Sequence, residues 1–182
     1  IVITKPLAIK SDKGADASIV HALVHSEPVF KISNTSDVSI TGFSITGSLV
    51  SGVYLHAANN VKITGNKLTE NGSGIVLSSS NGNTMSNNEA ATNKQYGIYL
   101  ESSNDNTLEK NTVKLNKDKG IFLSSSSSNN LINNDVSLNA WDGIILWSSH
   151  NNIIDSNRVN RNRYGITLSE SNNNTLTNNS QW

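Results

Sequence analysis

The chain has no cysteine, two prolines and one methionine among its 182 residues, and each scarcity closes off a class of protein. Without cysteine there is no disulfide framework, no thiolate zinc site and no cysteine nucleophile. Charge is sparse and balanced, with 14 basic residues against 14 acidic ones, so nothing electrostatic draws the chain to nucleic acid or to an anionic membrane surface. No nucleic-acid partner is expected. No stretch approaches the roughly 18 consecutive apolar residues of a membrane helix, and no membrane insertion is expected either. Aromatic residues make up 5% of the chain, which gives weight to where they fall. This length suits a single domain, 1–182, around one continuous core. The sequence opens abruptly on the apolar, strand-like Ile1-Val2-Ile3 with no cap ahead of it, as expected of a fragment of a longer exported protein.

What the chain does have is a repeat. Glycine recurs at Gly52, Gly74, Gly97, Gly120, Gly143 and Gly165, at intervals of 22 or 23 residues. Leucine follows three positions later, at Leu55, Leu77, Leu100, Leu123, Leu146 and Leu168. Asparagine follows fourteen positions later, at Asn66, Asn88, Asn111, Asn134, Asn157 and Asn179. A second asparagine comes five residues after that, at Asn71, Asn93, Asn116, Asn139 and Asn162, so only the link back to glycine varies in length. Within each repeat the apolar residues alternate over short stretches, as in Gly97-Ile98-Tyr99-Leu100, Thr107-Leu108 and Val113-Lys114-Leu115, which is the period of strands. Asn, Ser and Thr are too abundant for a helical solenoid. The spacing therefore predicts an all-β, right-handed, single-stranded parallel β-helix of seven to eight coils, with three strands and 22 to 23 residues per coil. Coils stacked about 4.8 Å apart turn each column into a ladder of like residues. Asparagine in such a ladder can bond amide to amide and tolerates a left-handed turn, and glycine suits a turn entering the first strand.

The G-I-x-L strands (Gly97 to Leu100, Gly120 to Leu123, Gly143 to Leu146), the N-T-L turns (Asn106-Thr107-Leu108, Asn174-Thr175-Leu176) and the asparagine ladder resemble the parallel β-helix repeat family. That family includes NosD-like periplasmic copper-binding domains and carbohydrate-processing β-helices, and the Asn- and Ser-rich version is similar to prokaryotic cell-surface proteins. The resemblance covers about residues 29 to 179. It implies the fold strongly and an activity weakly, since lyases, epimerases, tailspikes and surface components share the architecture.

Seven of the ten aromatic residues fall on the outer side of the first strand or in the link before it: Tyr54, Tyr96, Tyr99, Phe122, Trp141, Trp147 and Tyr164. An aromatic stripe on a Ser- and Asn-rich surface marks an interface. The expected role is that of a non-catalytic, structural or adhesive module at the cell surface, outside the cell or in the periplasm. Its partners would be a polysaccharide, neighbouring copies or other surface proteins. The alternative is a polysaccharide-active enzyme, a lyase, epimerase or glycoside hydrolase, using Asp118 and Asp142 in adjacent coils beside Lys119, Arg163 and Tyr164. No cofactor and no metal are expected: Met85 stands alone, and His21, His25, His56 and His150 are scattered. Sequons at Asn34, Asn71, Asn173 and Asn178 fit an exported glycoprotein, though a chain this rich in Asn, Ser and Thr produces several by chance.

Overall fold

A computed structural model describes residues 1–181, and in them the chain forms short strands and no helix. The strands fall into three parallel sheets of eight, each sheet taking every third strand along the chain. This is the right-handed parallel β-helix that the repeat predicts. The first strands of successive coils, among them Ser51–His56, Ser73–Ser78, Ile98–Glu101, Ile121–Ser124, Asp142–Trp147 and Tyr164–Ser169, make sheet A. The second strands, such as Thr107–Glu109, make sheet B, and the third, such as Thr112–Lys114, make sheet C.

Register between coils follows the repeat residue by residue. Leu55, Leu77, Leu100, Leu123, Leu146 and Leu168 pair in one row of sheet A. Ile63, Met85, Leu108, Leu131 and Ile154 do the same in sheet B, and Leu68, Ala90, Val113, Val136 and Val159 in sheet C. These rows point inward and fill the core: no member from Leu55 through Val159 is more than 1% exposed, and only Leu168, in the final coil, is open, at 40%. Sliding a strand by one residue would turn its apolar set out to water, so the core itself enforces the register.

The corners are where Asn, Ser and Gly act. Asn111 Oδ1 accepts from both the backbone N–H and the side-chain amide of Asn88 at 3.0 and 3.1 Å, and Asn111 Nδ2 donates to Asn134 Oδ1 at 3.0 Å and to the Met85 carbonyl at 2.9 Å. Every buried ladder asparagine thus ties three coils together. The left-handed residue is not the ladder asparagine, as expected from the sequence, but the one before it: Lys110, Asn133 and Ser156 ahead of the first ladder, and Thr92, Leu115 and Leu138 ahead of the second, all with φ between 53° and 59°. A third asparagine ladder, Asn83, Asn106, Asn129 and Asn152, and a serine ladder, Ser80, Ser103, Ser126 and Ser149, complete the corner between sheets A and B.

Glycine also has a different reason from the one expected. None of the six repeating glycines has a positive φ. A Cβ on Gly120 would instead lie 2.5 Å from Val136 Cγ1, 2.6 Å from the Gly143 carbonyl oxygen and 2.8 Å from Asn139 Nδ2. The requirement is for space between two neighbouring coils.

Thr92 carries a β-branched side chain at φ 55° on the exposed corner, a conformation that costs such a residue more than it costs asparagine. Thr92→Asn is expected to stabilise the fold by about 0.5 to 1 kcal/mol, read as a rise in the thermal unfolding midpoint; an unchanged or lower midpoint would show the turn to be unstrained.

Candidate functional site

Sheet A carries the candidate site on its outer side, because alternation along the first strand buries Ile98 and Leu100 and turns Tyr99 and Glu101 outward. Tyr54, Val76, Tyr99, Phe122, Ile145 and Thr167 pair in one outward row, and His56, Ser78, Glu101, Ser124, Trp147 and Ser169 in the next. A third row enters the strand. There the N–H of each glycine bonds the carbonyl of the next coil, which puts Tyr96, Lys119 and Asp142 in line, with Tyr164 opposite Asp142.

Side chains gather these rows into separate groups rather than one stripe. Tyr99 stacks on Phe122 with ring centroids 5.0 Å apart, and Tyr96 packs against both at 5.1 and 5.6 Å. Lys119 closes over this group, its ammonium 5.4 Å from the Tyr96 ring and 5.5 Å from Phe122, and it pairs with Asp118 at 2.9 Å. Phe122 points away from the coil interior, as the alternation requires, yet it is only 7% exposed. It belongs to a small outer core. Burial first, and then the Glu101 carboxylate, hold the Tyr99 phenol above its ordinary pKa, so it stays a neutral O–H at physiological pH.

The second group is open. Arg163 lies over Trp141 with its guanidinium carbon 4.1 Å from the ring centroid, and 5.4 Å from that of Tyr164. Trp141 and Tyr164 are about half exposed, as is Trp147 on the same face. Tyr54 stands apart and lies parallel to His56 at 6.3 Å. From the sequence, Lys119 and Arg163 read as neighbours of Asp118 and Asp142, not as partners of the aromatic rings. Counting back from glycine places Lys119 in the row of Tyr96, and that count is the signal for its contact with the rings.

Asp118 and Asp142 do lie in adjacent coils, but one row apart, since the Asp118 carbonyl accepts from the N–H of Trp141. Asp118 is held by Lys119, whereas Asp142 is 6% exposed, begins its strand, and accepts from Thr167 Oγ1. Each carboxylate is committed to a different neighbour. The sequon at Asn71 is closed to modification, because Asn71 is fully buried in its ladder.

These features define a parallel β-helix whose candidate site is the aromatic outer face of one sheet. The chain belongs to the family described as periplasmic copper-binding protein (NosD), whose model matches residues 8–181. No curated protein sequence matches it. Among solved structures it is similar to a double mutant of the periplasmic alginate epimerase AlgG, with 20% identity and a TM-score of 0.81 over 98% of this chain and 46% of that one. The A-module of the Azotobacter vinelandii mannuronan C-5 epimerase AlgE4 is similar at 15% identity and a TM-score of 0.77, over 97% of this chain and 55% of that one. The bacteriophage CBA120 tailspike protein 2 is similar at 12% identity and a TM-score of 0.68, over 99% of this chain and 38% of that one. The chain thus spans about half the length of the two epimerase structures and 38% of the tailspike structure, and likeness at these identities concerns the fold.

Copper, which the family description names, does not fit the residues present. Copper sites draw on cysteine, methionine and histidine. Here cysteine is absent and Met85 is sealed in the core. His25 Nδ1 is 2.6 Å from the Gly47 carbonyl, His56 lies beside Tyr54, and His150 Nδ1 accepts from the N–H of Asn172 at 3.0 Å. Among the described residues no three of His, Cys, Asp and Glu converge.

Proposed function

We propose that the outer face of sheet A binds polysaccharide, and that the chain serves outside the cytoplasm as a non-catalytic β-helix module that holds it. The observation that carries this reading is the exposure of Trp147 and Tyr164 on one rigid sheet and of Trp141 in the link that enters it, on the side that carries the packed Tyr96, Tyr99 and Phe122. Aromatic planes on a fixed scaffold suit the flat faces of sugar rings, and a sheet of evenly spaced coils suits an extended, repeating ligand. The comparisons support it: two of the similar structures are epimerases of alginate or mannuronan. The NosD family and AlgG are both described as periplasmic, in keeping with an exported location. A binding rather than catalytic role is supported by Asp118 and Asp142, each occupied by its own partner.

The test is a Trp141→Ser, Trp147→Ser, Tyr164→Ser triple variant, followed by retardation in native gels cast with alginate or with mannan. Because all three side chains are about half exposed, the variant is expected to fold. Its affinity for the gel polysaccharide is expected to fall about tenfold or more, since aromatic anchors carry a large share of binding energy. A wild-type chain that neither gel retards would defeat the reading, as would a triple variant retarded like wild type. Self-association lost in the same variant would favour a protein neighbour.

A further inference from the structure

We infer that the corner formed by Trp141, Arg163 and Tyr164 is a carboxylate subsite, so that this face takes acidic polysaccharide, built of uronic acids, in preference to neutral chains; the inference rests on the polysaccharide reading above. Arg163 is exposed and lies over the Trp141 ring with Tyr164 close by. Among the described residues it makes no ion pair, and its guanidinium donates no hydrogen bond to a protein group, whereas Lys67, Lys110, Lys114, Lys119 and Arg158 each have a carboxylate partner. Contact with the indole limits the freedom of the long side chain while its planar fork of N–H donors keeps its capacity for a ligand. A carboxylate is the group that such a fork meets in a bidentate way.

Charge along the same edge agrees. The links between the second asparagine and the glycine carry Lys94, Lys117, Lys119 and Arg163 against Asp118 and Asp142. Asp118 is neutralised by Lys119 and Asp142 is buried against Thr167, which leaves exposed Lys94, Lys117 and Arg163 without carboxylate partners among the described residues. On a chain with no net charge, the positive edge is therefore a local feature beside the aromatic face. A neutral sugar can offer these cations only hydroxyl acceptors, while a uronate chain brings one carboxylate per ring and the stronger, charge-assisted bond.

Titration calorimetry with an oligomannuronate, and with the manno-oligosaccharide of the same length and linkage, tests this directly. The two probes differ only in the carboxylate. Wild type is expected to bind the acidic oligomer about tenfold more tightly than the neutral one. Arg163→Gln is expected to weaken the acidic oligomer far more than the neutral one and so remove most of that difference, and Arg163→Lys to restore only part of it, because lysine lacks the fork. Equal wild-type affinities, or a preference that survives Arg163→Gln, would overturn the subsite and leave the carbohydrate reading standing. Failure of wild type to bind either oligomer would defeat both.

Discussion

Asn134→Leu is expected to lower the stability of the fold by about 3 to 5 kcal/mol, because several buried groups lose their partners at once. The Asn134 amide oxygen accepts from the backbone N–H and the side-chain amide of Asn111, both at 3.0 Å, and its nitrogen donates to the Leu108 carbonyl and to Asn157 Oδ1, both at 2.9 Å. Leucine is close in volume, so little of the loss would come from a cavity. Two donors of Asn111 and the Leu108 carbonyl would be left dry, and an unsatisfied buried polar group costs about 1 to 3 kcal/mol. Asn134→Asp separates the two halves of the amide: it keeps the acceptor for Asn111 but sets an acidic group against Asn157 Oδ1, and should also destabilise. Midpoints of urea unfolding measure both. A leucine variant within about 1 kcal/mol of wild type would mean that the ladder is not a principal source of stability.

Gly120→Ala should cost about 3 kcal/mol although it adds one methyl group, because overpacking against backbone cannot be relieved by a rotamer change. The new Cβ meets Val136 Cγ1 at 2.5 Å and the Gly143 carbonyl at 2.6 Å. Adding Val136→Ala removes the first clash and not the second, so the double variant should recover part of the loss beyond that expected from independent effects. Strict additivity of the two changes in urea unfolding would show that the methyl does not press on Val136.

The coil length, the three sheets and the inward rows were all legible in the sequence, because a period of 22 or 23 residues combined with strand alternation leaves one way to stack Leu100 on Leu123 and Val113 on Val136. The purpose of individual columns was less legible. Glycine serves a tight turn or a close approach equally well on paper, and only the distance from Gly120 to Val136 decides for the second. The ladder through Asn83 and Asn106 was hidden by Val61, which holds that place in an earlier coil and donates its backbone N–H to Asn83 Oδ1 at 2.8 Å. On the outer face, alternation correctly turned Phe122 outward but could not show that Tyr96 and Lys119 from the varied links would fold over it. For the same reason Asp142 looked like a free link residue. It is the first residue of a strand, drawn under the next coil by Thr167.

The asparagine ladders also give the molecule a direction. In all three, the side-chain amide nitrogen of one coil donates to the amide oxygen of the following coil, never the reverse: Asn88 to Asn111 to Asn134, Asn93 to Asn116 to Asn139, and Asn83 to Asn106 to Asn129. Backbone bonds between the coils run both ways, as Gly97 to Lys119 and Lys94 to Asn71 illustrate, and largely cancel along the axis. The side-chain columns do not cancel. They form three parallel files of aligned amide dipoles, so the stack is a vector with an oxygen pole toward its first coils and an N–H pole toward its last. At the oxygen pole Asn66, Asn71 and Asn83 accept from the backbone N–H groups of Phe43, Ser48 and Val61. At the other, Asn162, Asn174 and Asn179 each turn their amide nitrogen back to a carbonyl of the preceding coil. The field of these files favours an anion on the side of the last coils and a cation on the side of the first.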